Sequence, residues 1–465
     1  MSSSSQTAQA HSEYFFDRNL RQGYPVVKSA NGNILTTKDN REIFDACTGA
    51  AVACLGYNNK DVIKAIDKQQ NTGVAYLASH FWANDTVEEL CKELIRGTDG
   101  KMGRVYLTGS GSEAMEAAIK LSRQFFYEQN EKNRVNFIAR RRSYHGNTMG
   151  ALSVSEFNAR KEPYAPFLMG NVHHVSPCYS YRGKNENETD EEYVSRLADE
   201  LDKEFKSLGP ETVIGFIAEP VVGAALGCVP FVPGYLKAMR EVCHKYRALF
   251  ILDEVMCGMG RTGTLHAWQA EDVMPDIQTM AKGLGGGYQP IGAMMISPKV
   301  VEVILRGSGE FTHGQTYQGM PVQAAAALEV QRIIREKDLL KNVCAQGELL
   351  EKLLKGMLGN HPNVGDIRGR GLFWGLEFVK DKATKEPFER ERGVANGIML
   401  MAMSSPFNIT VYAGTGSAEP KDGTSPGLGD HILLAPAYTV KKEDIELIAD
   451  KVSSVIKKFF EELEG

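Results

Sequence analysis

Three segments of this chain carry residue types that could do chemistry together. Tyr106 to Ala114 reads YLTGSGSEA, a strand running into a glycine turn and then a helix, so the turn's backbone N–H groups are free to hold an anion. The hydroxyls of Ser110 and Ser112 add donors. The same spacing is G-x-G-x-x-A, a variant dinucleotide fingerprint, and Arg140 to Arg142 follow the next apolar run, where a 2'-phosphate would sit. On this segment alone a cofactor phosphate grip, a dinucleotide site and a plain tight turn stand level. The second segment, ALFILDE, ends in Asp253 and Glu254, and carboxylates at the carboxyl edge of a buried parallel strand face the crevice where α/β folds bind ligands. Burying Asp253 costs desolvation unless a cation pairs with it. A protonated pyridine nitrogen is such a cation, and a magnesium ion or a helix cap is the plainer use of the pair. Twenty-nine residues later, IQTMAKGLGGG sets Lys282 at the end of another apolar strand, where the ammonium form is disfavoured and the amine becomes nucleophilic. A snorkelling lysine is the alternative. Taken together, phosphate grip, ring-nitrogen anchor and carbonyl-trapping lysine are the parts needed to hold pyridoxal 5'-phosphate (PLP).

The stretches GSGSEAMEAAIKLSRQF, RRSYHGNTMGA, IAEPVVGA, LFILDEVMCGMGRTG, MAKGLGGGYQPIGA and HGQTYQGMP occur in this order. The set resembles the successive motifs of the class III, or ω-amino, PLP-dependent aminotransferases, from about Tyr24 to the final helix, and is similar to the amine:pyruvate and β-alanine:pyruvate group. The resemblance implies an α/β protein of PLP fold type I (aspartate aminotransferase-like), a large mostly parallel α/β domain plus a small α+β domain built from both chain ends. It implies that Lys282 is the Schiff-base lysine, that Asp253 pairs with the ring nitrogen, and that Ser110, Gly111 and Ser112 bind the phosphate. Tyr144 and Val255 would flank the ring, Glu219 would lie on its substrate side, and Thr316 would reach the phosphate of the neighbouring subunit, which implies a homodimer with shared active sites. The plainer uses are core residues for Tyr144 and Val255, a surface ion pair for Glu219 and a turn hydroxyl for Thr316. The implied activity is ping-pong transfer of an amino group from a small-molecule donor to a keto-acid acceptor such as pyruvate. Another fold type I PLP enzyme (decarboxylase, racemase or mutase) is the alternative, and a nucleotide-dependent oxidoreductase or a binding protein the more remote one.

Three departures from the family pattern bear on the substrate. Ornithine- and GABA-type members carry glutamine in D-E-x-Q, where this chain has Met256. Many relatives place an arginine in or before the strand ending A-P-P, but here the segment is GLGDHILLAPAY, with Leu433 and Leu434, and no arginine follows Arg392. A substrate carboxylate would then need another cation, such as Lys421, or a backbone site. Where similar amine transaminases have a pocket-capping tryptophan, this chain has small residues from Cys47 to Val52, among them Ala51, with Phe81 and Trp82 expected at the rim. These features point to an ω-amino acid or amine donor, bulky or long-chain, in a roomy pocket.

Composition sets the frame for these motifs. The chain has 465 residues, 43% hydrophobic and 24% charged, which suits two packed lobes of a soluble enzyme. A net charge of -5 without long basic runs argues against nucleic acid or a membrane surface as partner. The eight cysteines form no C-x-x-C pair and the ten histidines no H-x-x-x-H spacing, so no metal is expected and a reduced, cytoplasmic setting is. Residues 1–13 read as a disordered tail without leader character. Residues 14–70 are assigned to the N-terminal part of the small domain, 71–325 to the large PLP-binding domain and 326–465 to the C-terminal part of the small domain. Within the large domain the apolar runs RVYLT, VNFIA, NVHHVS, VIGFIAEP, ALFILDE, IQTMAK and GAMMIS predict a mostly parallel sheet between helices.

Overall fold

The computed structural model describes residues 14–418 and 428–464. Lys421 and the tail at 1–13 lie outside the described residues. All seven apolar runs of the large domain are strands of one sheet, in the order Arg104–Thr108, Gly292–Ile296, Ile277–Met280, Leu249–Asp253, Val213–Ala218, Asn136–Arg140, Val172–Val175. Only Gly292–Ile296 runs against the others, pairing antiparallel with both of its neighbours. The runs are apolar without alternation because both faces are covered. Phe250 and Leu252 pack with Leu197, Phe205, Leu236 and Met239 on one face. Leu249 and Ile251 pack with Met115, Phe125 and Val300 on the other.

The parallel arrangement is what gathers the chemistry. Asp253 ends its strand in register with Thr279 of the adjacent one, three residues before Lys282. Ala218, the residue before Glu219, ends the strand on the other side. Thr108 and Arg140 end theirs just before the glycine turn and Tyr144. Five segments therefore leave the sheet at one carboxyl edge, where open α/β folds bind ligands.

The two chain ends share a core. Strands Val27–Asn31, Ile34–Thr37 and Glu42–Asp45 form an antiparallel meander, and Ile409–Thr410 joins it in parallel beside Glu42–Asp45. Val364–Arg370, Phe373–Phe378, Leu428–Leu434 and Tyr412–Ala418 form a separate four-stranded sheet in that order. Helices Leu339–Leu358 and Lys442–Glu464 close the cluster that runs from Phe44 to Phe460. Tyr412–Ala418 was not visible as a strand in the sequence, since YAGTGSA carries two glycines and no apolar alternation. Among the described residues no helix is long and apolar enough to cross a membrane, and no group of three His, Cys, Asp or Glu could hold a metal.

Candidate active site

A cavity of about 320 Å³ opens at the carboxyl edge, and Gly111, Ser112, Tyr144, Glu219, Asp253, Val255 and Lys282 all line it. Larger hollows, of about 390 to 590 Å³, lie elsewhere and hold none of these groups. Size is the wrong guide here, because it is the smaller cavity that gathers the buried Asp253 and Glu219 together with Lys282 at the carboxyl edge of the sheet.

Asp253 sits at its floor, 4% exposed. Its Oδ1 accepts the Val255 backbone N–H at 3.0 Å and the Thr279 hydroxyl at 3.2 Å. Its Oδ2 lies 2.8 Å from Nδ1 of the buried His145. A carboxylate can only accept, so the Nδ1–H donates. His145 Nε2 is buried without a hydrogen-bond partner. Three donors thus hold this carboxylate in place at the cavity, where a protonated ring nitrogen could pair with it.

Lys282 follows the adjacent strand in the left-handed region, φ 46°, a strained conformation for a side chain other than glycine. Burial pulls its pKa below the ordinary 10.5. The carboxylates of Asp253 and Glu219 oppose that shift, and the Arg160 guanidinium adds to it. Glu219, 5% exposed, is no surface ion-pair member, since its two oxygens accept the backbone N–H groups of Tyr144 at 3.1 Å and Gly223 at 3.0 Å. Burial pushes its pKa up.

The glycine turn leads into helix Gly111–Glu128, capped by Ser110, whose Oγ accepts the Glu113 N–H at 3.3 Å. Ser112 Oγ accepts the Asn147 N–H at 3.0 Å. Gly111 is required by packing, because a Cβ there would fall 2.7 Å from Val255 Cγ1. With glycine in place Val255 leans over the helix start, whose first N–H groups lack partners inside the helix.

Other expected residues lie elsewhere in this chain. Ala51 is buried with Val221, Cys257 and Phe373, and its neighbour Ala50 lines the cavity instead. Phe81 and Trp82 are 71% and 67% exposed and do not line the cavity, and Thr316 is also exposed. Conversely, His145, Arg160, Ala224 and Tyr412 face or support the cavity without having been singled out from sequence. The signal for His145 was adjacency to Tyr144. Arg160 lies in a stretch with no distinctive spacing, so only its residue type could have marked it.

Comparison with known proteins agrees with this geometry. The family model for class III aminotransferases matches residues 15–456. The chain is 51% identical over 443 residues to an aminotransferase of Gibberella zeae, covering 93% of this chain and 85% of that one. It is 33% identical to gamma aminobutyrate transaminase 3 of Solanum lycopersicum, covering 93% and 80%. The crystal structure of the omega transaminase from Pseudomonas jessenii in complex with PMP matches with a TM-score of 0.87 at 29% identity, over 94% and 93% of the two chains. The dinucleotide reading of the glycine turn therefore falls, and with it the oxidoreductase and the non-catalytic binding protein. Enzymes of this family use PLP, and the residues present fit it: a buried carboxylate, an amine held below its ordinary pKa, and a helix start that only glycine leaves open. The chain belongs to the class III aminotransferases, PLP-dependent enzymes of fold type I.

Proposed function

We propose that this aminotransferase takes the amino group of an ω-amino acid or related amine and passes it to a keto acid such as pyruvate. The observation that carries the reading is the meeting of Lys282, Asp253, Glu219 and Tyr144 around one cavity from four separate strands. Lys282 would hold the cofactor through its amine, Asp253 through the ring nitrogen, and Ser110, Gly111 and Ser112 through the phosphate, with Tyr144 and Val255 on the two ring faces. When bound, PLP supplies an electron sink for the C–H bond next to the substrate nitrogen.

The chain's own groups do the rest. Burial favours the neutral form of Lys282, so its Nζ would hold the cofactor by condensing with its carbonyl carbon with loss of water, and as a free amine it would take and return a proton. Asp253 keeps the ring nitrogen protonated, and His145 holds that carboxylate in place. Glu219 fixes the Tyr144 backbone from the substrate side.

The donor side supports an amine set apart from its carboxylate. Met256 lines the cavity in place of glutamine, and its sulfur stands 2.2 Å from where a Cβ on Gly223 would be. Ala50 and Ala224 are the small residues beside it. An α-carboxylate brought against this apolar wall would lose hydration worth several kcal/mol. A relative named as a gamma aminobutyrate transaminase and one named as an omega transaminase support the same donor class.

A homodimer with shared sites, a cytoplasmic setting, and the division at residues 14–70, 71–325 and 326–465 complete the proposal. Its test is a donor panel with pyruvate and 2-oxoglutarate as acceptors. The expected outcome is a higher kcat/KM for 4-aminobutanoate, β-alanine or aryl-alkyl amines than for glutamate or ornithine. The reverse order would overturn it.

A further inference from the structure

The cavity carries cations that the cofactor contacts described above do not use. Besides Lys282 it is lined by Arg160 and Arg18. Arg160 is half-buried, and its guanidinium carbon lies 4.6 Å from the Tyr144 ring centre and 5.4 Å from that of Phe157. Those two rings meet edge to face at 6.3 Å. A guanidinium resting against aromatic rings still has N–H groups left to bond an anion. Among the described residues Arg160 has no carboxylate partner. The cavity's own acids are committed, Asp253 to His145 and two further donors, Glu219 to two backbone N–H groups.

A stacked, uncommitted guanidinium beside a reacting amine is the arrangement that bidentate carboxylate recognition calls for. Its side chain already packs against the two rings, so less rotamer freedom is lost when an anion docks. The chain has no arginine after Arg392, and Arg18 is exposed and, among the described residues, lies over no ring. We infer that Arg160 reads the carboxylate of the amino donor. The inference rests on the aminotransferase reading above and narrows it: the preferred donor is an amino acid with amine and carboxylate on separate carbons, rather than a plain amine.

The test uses holoenzyme and two donors that differ only by the carboxylate, 4-aminobutanoate and butylamine, each followed through one half-reaction by the cofactor's absorbance. Binding of butanoate, which has no amine, is measured in parallel by calorimetry. Arg160→Met keeps an apolar stem against Tyr144 and Phe157. It is expected to lower kcat/KM for 4-aminobutanoate by ~10- to 100-fold, mostly through KM, the loss expected of a charge-assisted hydrogen-bonded pair. Butylamine should stay within about threefold of wild type, because it never meets the arginine. Butanoate binding should weaken in step, and Arg160→Lys should restore part of both. Equal losses for the two donors would overturn the inference in favour of a packing role. Unchanged kinetics in Arg160→Met, or the selective loss appearing in Arg18→Met instead, would also overturn it. A wild-type enzyme that converts butylamine but not 4-aminobutanoate overturns the inference alone, whereas one that converts neither overturns the donor class on which it rests.

Discussion

Asp253 and Lys282 act on each other before either meets a ligand. The carboxylate favours the ammonium form of the lysine, and burial works against it with the larger effect. In cofactor-free protein the rate of PLP capture should therefore rise with pH and level off below the range of an exposed lysine. Asp253→Asn removes the group that raises the pKa, so its plateau should arrive at lower pH. A plateau shifted upward would show that the carboxylate does not face the amine. The same variant should lose turnover by several orders of magnitude while keeping its fold, because the ring nitrogen no longer has a charge to keep it protonated. A near-normal rate would place the anchor elsewhere. Both residues were legible in the sequence because each ends an apolar run, where a charge has no packing role. His145 and Arg160 were not, because their partners are Asp253, 108 positions away, and a ring face of Tyr144.

At the scale of elements, the site depends on how closely the helix at Gly111–Glu128 approaches the loop after Asp253. Gly111→Ala would drive a methyl to 2.7 and 2.8 Å from the two Val255 methyls. Contacts that short force the helix start or Val255 to move, so the variant should bind PLP more weakly by ~10-fold or more while unfolding near the normal temperature. Equal affinity would mean that neither contributes to the cofactor seat. The loop is tied to the small domain by Arg261, 1% exposed, which donates to the carbonyls of Leu372 and Pro436, reaches the Thr48 hydroxyl and stacks on Tyr438 at 4.6 Å. Arg261→Met strands those carbonyls, and a loss of ~2–5 kcal/mol in unfolding free energy is expected by denaturant titration. A loss under ~0.5 kcal/mol, the range of ordinary surface substitutions, would remove the arginine from the domain junction. The seven strands were legible because burial on both faces leaves unbroken apolar runs. The pairing of Ile409–Thr410 with Glu42–Asp45 was not, since two residues carry no period and their partner lies more than 360 positions away.

The whole molecule presents an aromatic surface that one chain does not cover. Tyr76, Phe81, Trp82 and Tyr317 are 45%, 71%, 67% and 59% exposed. Their two segments are joined by the Tyr76–Tyr317 contact and by the Ser79 hydroxyl donating to Gln318 at 3.1 Å. Thr316 lies in the second segment. Exposed apolar patches of this kind mark protein interfaces, and a homodimer burying this one would bring Thr316 to its partner. Light scattering should give twice the 51.2 kDa chain mass. In mixed dimers of Lys282→Ala and Thr316→Val chains, one site is intact if the threonine acts across the interface, so activity should exceed that of either homodimer. Activity no higher than the Thr316→Val homodimer would put the threonine to work in its own chain. The family was legible from six ordered motifs, but the exposed aromatic face was not, because exposure is a property of the folded chain.

The most direct measurement is borohydride reduction of the PLP-loaded enzyme followed by peptide mass spectrometry. The cofactor mass is expected on Lys282 and on no other lysine, with Lys282→Ala carrying no label and completing no half-reaction. Label on a different lysine, or turnover surviving in Lys282→Ala, would contradict the assignment of this cavity as the active site.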